Sequence, residues 1–150
     1  MIVGRDYVGV SAGAVVANGK GRYFLAKRSA GARDDHDKWE FPGGSVKVFE
    51  TREQAARRNL LEKYGLEIDI TSVLNVYDVI DRRVGDHWVS ATFLCSWTGG
   101  EPSNLIPDSC SEIGWFEIEE IRQMELSRIS RLNLVDLLAL DGVGAGAVTG

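Results

Sequence analysis

The 150-residue chain contains little histidine, cysteine and proline, and it has no long apolar run. Its two histidines and two cysteines have no metal-ligand spacing between them, which argues against a zinc site. Three prolines and no Pro- or Ser-rich stretch give no sign of a linker, so a single domain is expected. No apolar segment reaches the roughly 20 residues that a membrane-spanning helix needs.

Basic residues are also scarce, because 17 Lys and Arg stand against 22 Asp and Glu, for a formal net charge of −5. Duplex nucleic acid is therefore not expected as a partner, since its binding depends on clustered Lys and Arg. The N-terminus lacks the apolar run of a signal peptide. The two cysteines, Cys95 and Cys110, suit a reducing compartment. We therefore expect a cytoplasmic protein with no membrane partner, and a homodimer is left open.

Apolar segments separated by turn signals predict the order of the elements. Strands come first, then a helix, more strands and two final helices, which is typical of an α/β fold with a mixed sheet. The predicted strands cover residues 7–17, 22–28, 68–76, 77–83, 87–97 and 112–116, and the predicted helices cover 51–64, 118–124 and 128–140. Residues 141–150 are rich in Gly and Ala, so they should form a flexible tail after one domain at 1–140.

The best-defined helix is predicted to start at Thr51. Thr51 and Gln54 have the spacing of a capping box, and Gly65 is a typical residue just beyond a helix end. The segment Phe41-Pro42-Gly43-Gly44 before it predicts a turn, because glycine adopts backbone angles that are closed to other residues. A glycine turn followed by a well-capped helix is therefore expected.

Residues 44–66 resemble the signature box of the Nudix hydrolases. That pattern reads Gly, five residues, Glu, seven residues, then Arg-Glu-apolar-any-Glu-Glu-any-Gly-apolar. The residues in register with it are Gly44, Glu50, Arg58, Leu60, Glu62, Gly65 and Leu66. The resemblance extends over about residues 7–140 and implies the Nudix fold, a three-layer α/β/α sandwich in which the box forms a loop–helix–loop motif. It also implies hydrolysis of a nucleoside diphosphate linked to another moiety, with a nucleoside triphosphate among the candidates.

The resemblance implies which residues form the site. The expected metal ligands for Mg²⁺ or Mn²⁺ are the carbonyl oxygen of Gly43 and the carboxylates of Glu50 and Glu62, with Asp108 as a further candidate from a later loop. The expected catalytic residues are Glu62, Glu50 and Arg58, the arginine orienting the neighbouring carboxylates. Such oxygen ligands are the ones that magnesium prefers.

Segments outside the box supply further candidates by the same resemblance. Arg28 is expected to approach a phosphate, and Phe41 to line the pocket for the base. A solvated arginine at a strand end remains an equal alternative for Arg28. Asp108 has the alternative of a loop carboxylate that makes a turn after proline, and Glu112 is the second choice for its role.

Two positions of the box depart from the pattern, because Asn59 and Lys63 stand where it has glutamates. They share one helix face with Glu62. The formal charge of these three positions is therefore zero, whereas the three glutamates of the pattern would give −3. A neutral amide cannot act as a base, and lost ligand charge should weaken magnesium binding. Two functions stay open. One is a hydrolase of small nucleotides with a thinned metal site. The other is an impaired nucleotide-binding or regulatory module in which Lys63 pairs with a phosphate.

Overall fold

The computed structural model of the chain describes residues 1–149, with side chains described for residues 1–140. Within them the chain forms β1 (Gly9–Ala17), β2 (Arg22–Arg28), β3 (Trp39–Glu40), β4 (Gly43–Ser45), α1 (Arg52–Tyr64), β5 (Glu67–Asp81), β6 (Asp86–Gly99), β7 (Cys110–Glu117), α2 (Ile118–Ile121) and α3 (Arg128–Thr149). The predicted flexible tail at 141–150 lies outside the fully described residues and stays a prediction.

All the strands join one mixed sheet. Its main path runs β3-β2-β1-β6-β5, while β4 pairs with β1 and β7 pairs with β2. Of the seven described strands, only β1 and β6 pair in parallel, along the whole of β1 from Gly9 to Ala17. Parallel neighbours need a long crossover connection, and here that connection contains α1 and the long hairpin strand β5. The predicted α/β fold with a mixed sheet is confirmed.

The sheet is covered on both faces, as the side-chain alternation of β1 shows. Ala14 and Val16 pack in a core that includes Leu60 of α1. Val15 packs in a second core, on the opposite face, that includes Leu137 of α3. Successive side chains of a strand point to opposite faces, so helices on both sides bury the sheet in a three-layer α/β/α sandwich.

The start and end of α1 have the predicted chemistry. The Gln54 amide donates to the Thr51 hydroxyl at 3.1 Å, and the Thr51 amide donates to the Gln54 side chain at 2.8 Å. Gly65 ends the helix with φ +69°, a left-handed conformation that favours glycine. These local bonds fix which residues of α1 face the sheet and which face the site.

Several predicted boundaries were wrong. Residues 68–83, predicted as two strands, lie mostly in the single strand β5, which pairs with β6 from end to end. Register shifts within β5 absorb its irregular pattern as bulges, so the chain needs no turn there. Strands β3 and β4 were not predicted, since two or three residues give no side-chain periodicity. The predicted helix at 118–124 is α2, which ends at Ile121.

Membrane insertion can be judged from the helices. Among the described residues, no helix combines the length and the apolar character required to cross a bilayer.

Candidate active site

A cavity of about 560 Å³ opens where β1, β6, the segment 40–45 and the ends of α1 and α3 meet. We call it the central cavity. It is bordered by Arg28, Glu40, Phe41, Gly43, Gly44, Lys63, Trp88, Thr92 and Asn133, among others. Four predicted site residues are in that border, namely Arg28, Phe41, Gly43 and Lys63. Glu50, Arg58, Glu62 and Asp108 are not. The structure therefore divides the predicted site into a cavity group and a group outside it.

Arg58 organises the group on the surface of α1. Its Nε and Nη2 donate to the two carboxylate oxygens of Glu50 at 2.8 and 2.7 Å. Its Nη1 lies 3.3 Å from Glu62 Oε2, and Nη2 also donates to the Ser45 carbonyl at 3.0 Å. These hydrogen bonds from Arg58, with one from the Lys47 amide, lower the pKa of Glu50 to about 2. Glu50 is thus held ionised and fully engaged, whereas Glu62 remains exposed and free to act.

Lys63 reaches from the last turn of α1 into the cavity border. Its Nζ donates to the Gly43 carbonyl oxygen at 2.7 Å. A Cβ at Gly44 would lie 2.8 Å from this Nζ, so a side chain at this position would collide with the ammonium. Burial lowers the pKa of Lys63, and the charge of Glu40 opposes that effect. The ammonium therefore sits on the same carbonyl that the resemblance assigned to a metal ion.

Asn59, the other departure from the box pattern, is buried between α1 and the glycine turn. Its Nδ2 donates to the Ala55 carbonyl at 2.9 Å, one turn back in the helix, and lies 3.4 Å from the Ser45 carbonyl. The amide of Asn59 is thus bound to backbone rather than directed at solvent. Asn59 therefore has a structural role, and as a neutral amide it cannot act as a base.

The donor set of the site does not fit a resident divalent cation. The Gly43 carbonyl accepts from Lys63, and both oxygens of Glu50 accept from Arg58. In the part of the chain with described side chains, no three Asp, Glu, His or Cys side chains converge on a metal position. A hard cation needs several unengaged oxygens, and Glu62 is the one predicted carboxylate near Arg58 that keeps an oxygen free.

Arg28 borders the cavity with its guanidinium already bound. Nη1 donates to Glu40 Oε1 at 2.8 Å, Nη2 donates to Asp34 Oδ1 at 2.6 Å and Nε donates to the Asp34 carbonyl at 2.8 Å. The solvated strand-end arginine is the wrong alternative, because only 18% of the side chain is exposed. Arg28 therefore contributes positive charge from a fixed position and has few donors left.

Glu40 is one of the site residues that the sequence reasoning missed, with Trp88, Thr92 and Asn133. Glu40 pairs with Ala26 across β2 and β3, which places its side chain diagonal to that of Arg28 on one face. Burial raises the pKa of this carboxylate, and the charges of Arg28 and Lys63 counteract the shift. The only signal in the sequence was its place directly before the turn at 41–44, which does not reveal a partner.

Phe41 lies at the cavity border, where the resemblance placed it, whereas Asp108 does not. Phe41 is 5% exposed and packs in the core between the sheet and α3, although it also borders the cavity. Its backbone amide donates to the Ser130 hydroxyl at 3.0 Å. Asp108 lies outside the cavity border, and its carbonyl accepts from Ser29 at 2.7 Å. Asp108 serves here through its backbone, in tying one loop to another.

An aromatic and polar part completes the cavity border. The Arg33 guanidinium carbon lies 4.4 Å from the centre of the Trp88 ring, a cation–π arrangement. Thr92 and Asn133 are buried polar residues of the same border, and Asn133 accepts from Asn75 at 3.0 Å. The border therefore combines aromatic and apolar surface with many polar and charged groups, and fixed polar groups of this kind orient a bound small molecule.

The model of the NUDIX domain family matches residues 8–137. The chain belongs to the Nudix family. It is 31% identical to the MutT NUDIX hydrolase from Burkholderia pseudomallei, a solved structure, with a TM-score of 0.77 and coverage of 86% of this chain and 97% of that one. It is 27% identical to a MutT-like protein of Streptomyces ambofaciens over 135 residues, which are 90% of this chain and 79% of the relative.

A third relative is an ADP-ribose pyrophosphatase of Methanocaldococcus jannaschii, 32% identical over 83 residues, or 55% of this chain and 48% of that protein. The predicted Nudix fold is confirmed, and the prediction of a Nudix-type pyrophosphohydrolase is confirmed at the level of the family. Nudix hydrolases act on small nucleotide-type substrates and generally use divalent metal ions. The substrate of this chain, and the ion, are matters for proposal.

Proposed function

We propose that this chain hydrolyses a nucleoside diphosphate linked to another moiety, with nucleoside triphosphates and ADP-ribose as the first candidates. The central cavity carries the proposal. Its volume of about 560 Å³ lies within the range of small-molecule sites. Its border combines an ammonium, from Lys63, with an aromatic ring, from Trp88. A nucleotide needs both, because its phosphates bind positive charge and its base binds an apolar wall.

The phosphates would lie against Lys63 and the glycine turn. Lys63 has N–H donors to offer besides the one that binds Gly43. Gly44 has no side chain, and the space this leaves is occupied by the Asn59 amide and the Lys63 ammonium, so the ammonium lies directly beside the turn. Arg28 adds positive charge from behind, while its own hydrogen bonds to Glu40 and Asp34 keep it in place. The nucleoside would then extend along the border toward Trp88 and Asn133.

Glu62 is the proposed base for the attacking water. Its side chain is 58% exposed and makes a single contact of 3.3 Å with Arg58. Glu50 is a poor base because its pKa is about 2, and its role in the proposal is to hold Arg58 in place. Arg58 in turn orients Glu62. A dependence on Mg²⁺ or Mn²⁺ remains a prediction from the resemblance, and the roles above use only the chain's own residues.

A second function is favoured by one specific contact. Lys63 occupies the Gly43 carbonyl at 2.7 Å, which supports a nucleotide-binding or regulatory module with impaired catalysis. Such a module would bind nucleotide and leave it intact. The cytoplasmic location, the homodimer and the lack of duplex nucleic acid partners stay predictions.

The test of the proposed function is hydrolysis of the phosphoanhydride bond, followed as pyrophosphate or phosphate release from nucleoside triphosphates and as nucleoside monophosphate formation from ADP-ribose and nucleotide sugars. Each would be assayed with Mg²⁺, with Mn²⁺ and with a chelator. Glu62→Gln should abolish turnover of the active substrate. Glu53→Gln, a change of an exposed glutamate on the same helix, is the matched control and should retain it. If the native chain turns over no member of the panel but binds one, the module is the better reading.

A further inference from the structure

The ammonium of Lys63 is held at the site by one hydrogen bond and has further donors that are not used. It carries three N–H donors. Among the residues with described side chains, the Gly43 carbonyl is the acceptor that it binds, at 2.7 Å. The remaining donors belong to a side chain that borders the central cavity. A ligand in that cavity can therefore accept hydrogen bonds from Lys63 without displacing a protein group.

Among the residues with described side chains, Lys63 has no ion-pair partner of its own. Glu40 is the carboxylate that interacts most strongly with Lys63, and it is also bound to Arg28 at 2.8 Å. One largely buried carboxylate thus faces two cations that border the same cavity. Asp34 pairs with Arg28 from the more exposed side. A partly buried charge is costly unless it is paired, so the unpaired ammonium of Lys63 favours an anionic ligand.

We infer that Lys63 is the permanent cation of this site and that the chain binds a phosphoanhydride without a divalent metal ion. The inference rests on the proposed function only for the class of ligand. The ammonium occupies the Gly43 carbonyl, and no metal-binding cluster exists among residues 1–140 to compete with it. A divalent cation at the same carbonyl would lie against a positive charge, which opposes its binding.

Two binding experiments test this inference, on the full chain. The first measures the binding of inorganic pyrophosphate by isothermal titration calorimetry in the presence of a chelator. Binding is expected in the native chain, and Lys63→Met should weaken it at least about tenfold, because a charge-assisted hydrogen bond is lost. Lys20→Met, in the exposed β1–β2 turn, is the matched control and should bind as the native chain does.

The second experiment measures the binding of Mn²⁺ in the absence of nucleotide, from the loss of the electron-paramagnetic-resonance signal of the free ion. The native chain and Lys63→Met should show little binding, whereas Lys63→Glu should gain it at least about tenfold, since it frees the Gly43 carbonyl and adds a carboxylate. Circular dichroism checks that each variant is folded. Lys63→Met alone decides the pyrophosphate result if Lys63→Glu does not fold.

The outcomes separate this inference from the proposed function. Native binding of pyrophosphate only when Mn²⁺ is present, or native Mn²⁺ binding as tight as that of Lys63→Glu, overturns the inference while hydrolysis can still be found. Chelator-resistant pyrophosphate binding without turnover of any nucleotide supports the inference and counts against the proposed function.

Discussion

The guanidinium of Arg58 binds the carboxylate of Glu50 through two parallel hydrogen bonds, of 2.8 Å from Nε and 2.7 Å from Nη2. This bidentate pair connects α1 to the loop before it. The same guanidinium contacts Glu62 and the Ser45 carbonyl. The position of the free carboxylate therefore depends on a planar, forked donor that lysine cannot replace.

We expect Arg58→Lys to lower turnover by about 10- to 100-fold, the usual cost of removing a group that orients a functional ligand. Lysine keeps the charge but not the paired geometry, so kcat should fall more than KM rises. The measurement is steady-state kinetics on the substrate found in the panel. Arg57, at the preceding position of the same helix, donates to the Ile68 carbonyl instead, so Arg57→Lys should keep native kinetics. Equal losses in both variants would show that Arg58 has no special role.

The Glu50–Arg58 pair should give stability a defined pH dependence. Arg58 lowers the pKa of Glu50 from 4.5 to about 2 in the folded chain, so the folded state binds the proton less readily than the unfolded state. The stabilisation is then complete above about pH 4.5 and is lost as the pH falls toward about 2. Urea unfolding of the native chain and Glu50→Gln from pH 2 to 6 checks this. Their difference in unfolding free energy should shrink with falling pH, and a constant difference would contradict it.

Phe49 has a backbone conformation that suits glycine. Its φ is +71°, and its side chain is fully exposed beside Glu50. The left-handed region costs a non-glycine residue about 1–2 kcal/mol. Glycine lowers the stability by about 0.4–1 kcal/mol, because it increases the conformational entropy of the unfolded chain. Phe49→Gly should therefore raise the free energy of unfolding by about 0.5 kcal/mol. Phe49→Ala removes the same ring but keeps the strain, so a stability at or above that of Phe49→Gly would refute the reasoning.

Glu40 should matter more for stability than an exposed glutamate does. Glu40→Gln removes the charge that binds Arg28 at 2.8 Å and leaves two cations facing each other, which we expect to cost about 2 kcal/mol. Glu119→Gln is the control, because Glu119 is 79% exposed and 4.0 Å from its partner Arg122. Such surface pairs contribute about 0–1 kcal/mol. Thermal and urea unfolding of both variants gives the comparison, and equal losses would remove Glu40 from the account.

Part of the fold was predictable because its determinants are local. The capping box of Thr51 and Gln54 and the terminating Gly65 act within one turn of chain, and α1 begins and ends as they predict. The length of β5 was not predictable, since its bulges are set by pairing with β6. The register of the signature box identified the family, but it did not separate Glu62 outside the cavity from Lys63 at its border.

The sequence by itself determined the Nudix fold, the position of the signature helix and the loss of two of its carboxylates. Only the tertiary structure decided what took their place. Lys63 binds a carbonyl 20 residues earlier in the chain, and Arg28 binds a glutamate 12 residues later. Such partners depend on how the strands pair and where the helix packs on them. A charged side chain takes the nearest unengaged opposite group within a few ångströms, and that distance exists only once the sheet has formed.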